Sequence, residues 1–267
     1  MIAKKCLLAI GLLALCAATP ASAAPPRHAF VLVHGAWMGK SAWDPVAARL
    51  RKDGEEVIQV ELPAHGDDPT PADKATLHGY VEAVVAAIGE RKDVVLVGHS
   101  FGGVVISGVA EEIPERIGRL MYVAAYLPRD GESAYSLSQQ DKDSHVPKFW
   151  SQADPAKYTP VTIRKEGLID VFCNDCSPEV QAYVLAHHRE EPVPPMGTPV
   201  KLTPGKFGAI PRYYIATSAD HAVGYGLQRQ MLQATPVKRV VTLKSGHVPM
   251  LTHPKKVAAA LRQFASE

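Results

Sequence analysis

A surplus of charge of either sign is largely missing from this chain. Lys and Arg number 29 against 27 Asp and Glu, for a formal net charge of +2. Lys4 and Lys5 carry that surplus, so it disappears if the N-terminal residues are removed. No basic field is then left to attract nucleic acid or anionic lipid. Cysteine is scarce, with four in 267 residues. No internal repeat, low-complexity tract or long charged run is present. The eleven histidines are scattered, so no His-rich tract marks a metal site, and neither a metal nor an organic cofactor is expected.

The first residues read as an export signal. Lys4 and Lys5 form a short basic region, Cys6 to Ala18 is apolar, and Ala21-Ser22-Ala23 is a small-residue cleavage site. The apolar stretch is too short to span a bilayer comfortably. Residues 1–23 are therefore expected to be a cleaved signal peptide, the mature protein periplasmic or secreted, and no membrane association to remain. A lipoprotein signal centred on Cys16 is the weaker alternative, because Leu15 stands where a small residue is usual. Cleavage removes Cys6 and Cys16 and leaves Cys173 and Cys176. In an exported chain these two form either a structural disulfide or two unpaired thiols. They lie in a polar insertion, and the further ligands that zinc would need are missing. About 244 residues remain, enough for one large α/β domain.

Apolar strands alternate with helices. Strands are expected at residues 28–33, 57–62, 94–97, 120–125, 212–217 and 237–243. Helices are expected at 43–50, with Asp44 as cap and Pro45 in the first turn, and at 77–88, 103–110 and 257–264. Strands apolar on both faces, alternating with helices, make a mainly parallel sheet of about six strands covered on both sides. Ligands of such sheets bind beyond the carboxyl ends of the strands. The core is assigned to 24–127 and 209–267. Residues 128–208 interrupt the alternation and are too long for a structureless loop. They are read as an inserted cap with a helix at 177–188. Cap aromatics such as Phe149 and Trp150 either line a pocket or pack the cap itself.

Gly98-His99-Ser100-Phe101-Gly102 follows the run Val94 to Val97. This is the G-x-S-x-G nucleophile elbow, in which a serine sits on a sharp strand-to-helix turn and flanking side chains would clash. A serine nucleophile needs a base and a group that orients the base. His247 follows the sixth strand, where Gly246 would free the backbone to swing the ring. Asp220 follows the fifth strand. The chain order Ser100, Asp220, His247 is that of α/β-hydrolases. His99 points away from its neighbour, His253 suits a surface or packing role, and His65 suits a turn near the rim. His221 could shape the loop after Asp220. Asp130, after the fourth strand, is the rival acid. Two backbone N–H groups should hold the oxyanion: Phe101, after the nucleophile, and Ala36, in the loop after the first strand. Trp37, Phe149 and Trp150 are the candidate pocket residues. A histidine base predicts activity that falls below about pH 6 to 7.

Phe30 to Trp37, Val95 to Gly103, Tyr214 to Asp220 and Gly246-His247 with Pro254 together resemble the α/β-hydrolase superfamily. Within it the chain is similar to the small-esterase branch of plant methyl esterases, hydroxynitrile lyases and related bacterial esterases. The resemblance implies the α/β-hydrolase fold and a Ser-His-Asp carboxylic ester hydrolase that forms an acyl-enzyme without a cofactor. It is also compatible with a homodimer. The expected partner is a small ester, apolar or aromatic to judge by the nearby aromatic residues. Dehalogenases and epoxide hydrolases of this fold carry aspartate at the elbow, and Ser100 sets them aside. A non-catalytic ligand-binding member of the fold remains an alternative, opposed by the intact set of site residues. A hydroxynitrile lyase is the other. Those lyases carry threonine in the first loop and lysine directly after the catalytic histidine. Here Gly35-Ala36 and Val248 stand in those places, and valine cannot stabilise a leaving cyanide. Ester hydrolysis should therefore exceed mandelonitrile cleavage by a wide margin, and a cyanide-release assay giving comparable rates would overturn this choice.

Overall fold

The computed structural model describes residues 28–154 and 158–267. The expected signal peptide, with Cys6 and Cys16, lies outside the described residues.

The sheet is built on its most completely buried strand. In chain order the strands are β1 (Ala29–Val33), β2 (Glu56–Val60), β3 (Val94–His99), β4 (Ile117–Val123), β5 (Trp150–Gln152), β6 (Val161–Ile163), β7 (Arg212–Thr217) and β8 (Arg239–Leu243). Six of them form a parallel sheet in the order β2-β1-β3-β4-β7-β8. β3 is buried along its whole length, as a strand inside a parallel sheet covered on both faces should be. Its β-branched run suits that environment.

Before the fourth strand come α1 (Asp44–Lys52), α2 (Leu77–Ile88) and α3 (Gly102–Glu112). Between β4 and β7 lie α4 (Ala134–Ser138), α5 (Val146–Phe149), α6 (Leu168–Phe172), α7 (Pro178–His187), α8 (Val193–Gly197) and an antiparallel pair made by β5 and β6. The chain closes with α9 (Tyr225–Ala234), α10 (Pro249–Thr252) and α11 (Pro254–Ala265). α1 packs on α11, and α2 packs on α3. Tyr80, Val81, Val84 and Ile88 of α2 face the core at helical spacing.

Several expected boundaries shift. Asp44 is the first helical residue of α1 rather than its cap, and its carboxylate accepts from Gln59 at 2.7 Å. β4 begins at Ile117, three residues before the apolar run at Leu120 becomes obvious. α9 was not expected, because its buried side is Leu227, Gln228 and Met231, and an inward glutamine blurs the apolar stripe. Strands β5 and β6, at three residues each, are too short for periodicity to reveal.

The elbow glycines serve close backbone approach. A Cβ at Gly98 would lie 2.5 Å from the Gly102 carbonyl oxygen, and one at Gly102 would lie 2.6 Å from that of His34. Gly98→Ala should lower the free energy of unfolding by about 2–3 kcal/mol or more, the scale of overpacking against a rigid neighbour. Gly205→Ala, where nothing lies within 4 Å of a new Cβ, should leave it within about 0.5 kcal/mol. Urea unfolding of both variants checks the contrast.

Candidate active site

Parallel strands send all their following loops to one edge of the sheet. Val33 at the end of β1 pairs with Gly98 near the end of β3, and His99 pairs with Val123 of β4. The loops after β1 and β3 are therefore neighbours. Ser100 turns the chain at φ 52°, a left-handed conformation that non-glycine residues rarely adopt. Three backbone bonds hold it there. Its N–H donates to Val123 O at 3.2 Å, and its carbonyl accepts from Gly103 (3.0 Å) and Tyr126 (3.1 Å). The strain resides where function is expected.

Asp220 and His247 leave β7 and β8, and both are buried. His247 Nδ1 lies 2.9 Å from Asp220 Oδ2 and 3.0 Å from Oδ1. The carboxylate also accepts from Thr217 Oγ1 (2.8 Å), the Ala222 and Val223 amides (2.8 and 2.9 Å) and Gln228 Nε2 (3.3 Å). Such a set of donors offsets the cost of burying the charge. Gln228 is a supporting residue that sequence reasoning missed. His99 Nε2 bonds to the His247 carbonyl at 2.8 Å, so the elbow holds the loop of the candidate base. Burial, reinforced by nearby His247, puts the His99 pKa well below the ordinary histidine value, so the ring is a neutral donor. The rival Asp130 is exposed and accepts from the Leu202 amide at 2.9 Å.

The loop after β1 is fixed by buried polar groups. His34 Nε2 accepts from the Leu62 amide at 3.1 Å, and Nδ1 lies 2.8 Å from Gly35 O. Those partners assign a neutral ring with its proton on Nδ1. Burial correspondingly lowers its pKa, despite Glu61 nearby. Trp37 has φ 61°. Its N–H donates to Glu191 Oε2 (2.8 Å), its carbonyl accepts from Arg189 N–H (2.8 Å), and its indole N–H donates to Val161 O (3.3 Å). All three partners lie in the segment between β4 and β7, which thus clamps this loop. Glu191 was not foreseen, and one acidic residue beside Glu190 gives no sequence signal. His65 is not a rim residue as expected. It is buried, with Nε2 on Glu191 Oε2 at 2.8 Å and Nδ1 on Pro63 O at 3.0 Å. A ring placed between two acceptors carries both protons. Burial alone would lower its pKa, but the charge and hydrogen bond of Glu191 outweigh this and raise it.

A cavity of about 300 Å³ opens over Ser100, lined by Ala36, Trp37, Phe101, Trp150 and Met196 among others. Among the described residues the amides of Ala36 and Phe101 donate to no protein acceptor. Phe149 does not line the cavity. Its ring lies against Gly167, where a Cβ would come within 2.1 Å of it. Cys173 and Cys176 form a disulfide, which settles the open pairing. The enclosed loop also packs against Gly246. A Cβ there would sit 2.2 Å from Asn174 Oδ1, while Asn174 Nδ2 donates to Ala219 O at 2.9 Å.

Comparisons with known proteins agree with this architecture. A family model described as "Alpha/beta hydrolase family" matches residues 30–260. Methylesterase 7 of Arabidopsis thaliana is 30% identical over 253 residues, covering 89% of this chain and 96% of that protein. The chain spans only 63% and 56% of the lengths of the chloroplastic Arabidopsis thaliana relatives named methylesterases 11 and 13. An extracellular α/β-hydrolase from a Paenibacillus species, described as sharing structural and functional homology with tobacco salicylic acid-binding protein 2, superposes with a TM-score of 0.77. It is 29% identical, with 89% of this chain and 98% of that one covered. Polyneuridine aldehyde esterase shares the fold, with a TM-score of 0.79 at 24% identity over 89% of this chain and 99% of its own.

The protonated His65 links stability to pH. Its folded-state pKa is raised, so its contribution is complete below the unfolded value of about 6.5 and is lost as pH rises through the higher folded value. Urea unfolding between pH 6 and 9 should show the wild-type protein losing stability over that window. Glu191→Gln should be less stable at pH 6 and should lose most of the slope.

Proposed function

Because the chain belongs to the α/β-hydrolase family, we propose that it hydrolyses carboxylic esters with Ser100 as nucleophile, His247 as base and Asp220 as the group that orients the base. The observation that carries this reading is the buried contact of His247 Nδ1 with Asp220 at 2.9 Å, at the same sheet edge as the strained Ser100. That contact fixes the tautomer and leaves Nε2 to receive a proton.

Ser100 Oγ attacks the ester carbonyl carbon while His247 Nε2 takes the hydroxyl proton. The carbonyl π electrons move onto oxygen, and the resulting oxyanion accepts from the Ala36 and Phe101 amides. Collapse of the tetrahedral intermediate breaks the bond to the alkoxy oxygen. His247 returns its proton to that oxygen, and the alcohol leaves an acyl-Ser100. Water, deprotonated by His247, attacks the acyl carbon, and a second collapse releases the acid and restores the serine. Asp220 stays ionised and stabilises the imidazolium in each half-reaction. The sequence of steps requires no metal or organic cofactor.

The apolar cavity suits a small ester with an apolar or aromatic acyl group, and its volume lies at the small end of ligand sites. Likeness to methylesterase 7 favours a methyl ester. The disulfide suits an oxidising compartment and supports export.

The test is hydrolysis of p-nitrophenyl acetate and of a panel of aromatic methyl esters, wild type beside Ser100→Ala and His247→Ala. Each substitution should lower kcat by about 10⁴-fold or more, and a fluorophosphonate should label the wild-type protein at Ser100 alone. Equal rates in wild type and Ser100→Ala would overturn the assignment. Folded protein with neither turnover nor labelling would point to a ligand-binding role.

A further inference from the structure

Histidines that are scattered in the sequence meet at a second place, away from Ser100. His145 immediately precedes α5, Asp170 lies within α6, and His221 directly follows Asp220. His145 Nδ1 is 2.7 Å from Asp170 Oδ2, 25 positions along the chain. His221 Nδ1 is 3.1 Å from Asp170 Oδ1, at a separation of 51. The potential donor atoms of the three residues all lie within 4.8 Å of one another. The two rings stand 4.1 Å apart, and the His145 amide donates to the His221 carbonyl at 2.7 Å. That backbone bond joins the two histidine segments, so the cluster needs no rearrangement of the chain to assemble.

We propose that His145, Asp170 and His221 form a binding site for one divalent transition-metal ion of the zinc class. Two imidazoles and one carboxylate are a ligand set that zinc favours, and three protein ligands leave room for water in a tetrahedral shell. Calcium and magnesium call for more oxygen ligands than the cluster offers. Ligands about 2.0 Å from a tetrahedral ion stand about 3.3 Å apart. The Asp170 contacts, 2.7 Å to one carboxylate oxygen and 3.1 Å to the other, fall about 0.6 and 0.2 Å short of that spacing. All three residues are partly exposed, and His145 and His221 line an open depression through which an ion and its water can enter.

The position gives the site a consequence. Two ligands come from the insertion and the third comes from the loop that carries Asp220. A bound ion would cross-link that loop to the insertion and so stabilise the folded state by mass action.

The test uses metal-stripped protein without a histidine tag. Co²⁺ titration followed by visible absorption should show one equivalent bound with the intense bands of a tetrahedral or five-coordinate ion. Zn²⁺ should displace it and raise the thermal midpoint. His145→Asn and His221→Asn should each weaken binding by at least about tenfold, the lower end of what losing a mere supporting partner of a metal ligand costs. The His145 variant alters only the insertion and remains informative should the His221 variant fold poorly. Absence of saturable one-to-one binding would overturn the proposal, as would unchanged affinity in the His145 variant. None of these readouts depends on ester hydrolysis, so their failure is separable from failure of the proposed activity.

Discussion

Backbone segments from three parts of the chain crowd together at the carboxyl end of β3, and the rest of the site depends on that crowding. The Gly98 and Gly102 positions touch the Gly102 and His34 carbonyls, and a Cβ at Gly35 would come within 2.7 Å of Ser100 Cβ. A side chain at Gly102 or Gly35 would push apart the elbow and the loop that follows β1, and one at Gly98 would force open the elbow itself. A left-handed serine costs roughly 1–3 kcal/mol. It persists because the buried β3 and its neighbours fix both sides of the turn. Ser100 is thereby held at the cavity by the sheet rather than by its own side chain.

The loops around the elbow lack that direct support from the sheet, and buried carboxylates hold them. Asp220 gathers the turn after β7 through the Ala222 and Val223 amides and orients His247. Glu191 holds Trp37 and His65 through one oxygen, Oε2, while its other oxygen is buried with no partner among the described residues. Removing a carboxylate from water costs several kcal/mol, offset only when charge-assisted bonds surround it. The outcome is specificity of position more than net stability. It also makes the segment between β4 and β7 part of the site, because Glu191, Arg189 and Val161 hold the Trp37 loop from that segment.

What the sequence disclosed follows the range of the interaction concerned. The strand at residues 212–217 and the helix at 77–88 were readable to the residue, because periodicity and flanking turns are local. The elbow was readable because close approach demands glycine at fixed spacing. Asp220 and His247 could be selected by their place after strands, and the structure brings them together. Glu191, Gln228 and the inward role of His65 were not legible, because a buried polar partner has no local pattern. Phe149 and Trp150 show the same limit from the other side. Adjacent aromatics in one insertion went to different surroundings, Trp150 to the cavity and Phe149 to Gly167, and only the path of the chain decides between them.

Long-range contact also joins two features that look independent in the sequence. The C-x-x-C loop and the glycine before His247 are one packing arrangement. Asn174 donates to the carbonyl of Ala219, beside Asp220, and its side-chain oxygen occupies the space that a Cβ at Gly246 would need. The disulfide closes the loop at the end of α6. Asn174 therefore presents one side chain to both the Asp220 loop and the His247 loop. An unconstrained four-residue loop could release either contact without disturbing the other. Cross-linking reduces the conformations in which they separate. The cysteines thus bear on the spacing of Asp220 and His247 through packing, and need no redox chemistry of their own to do so.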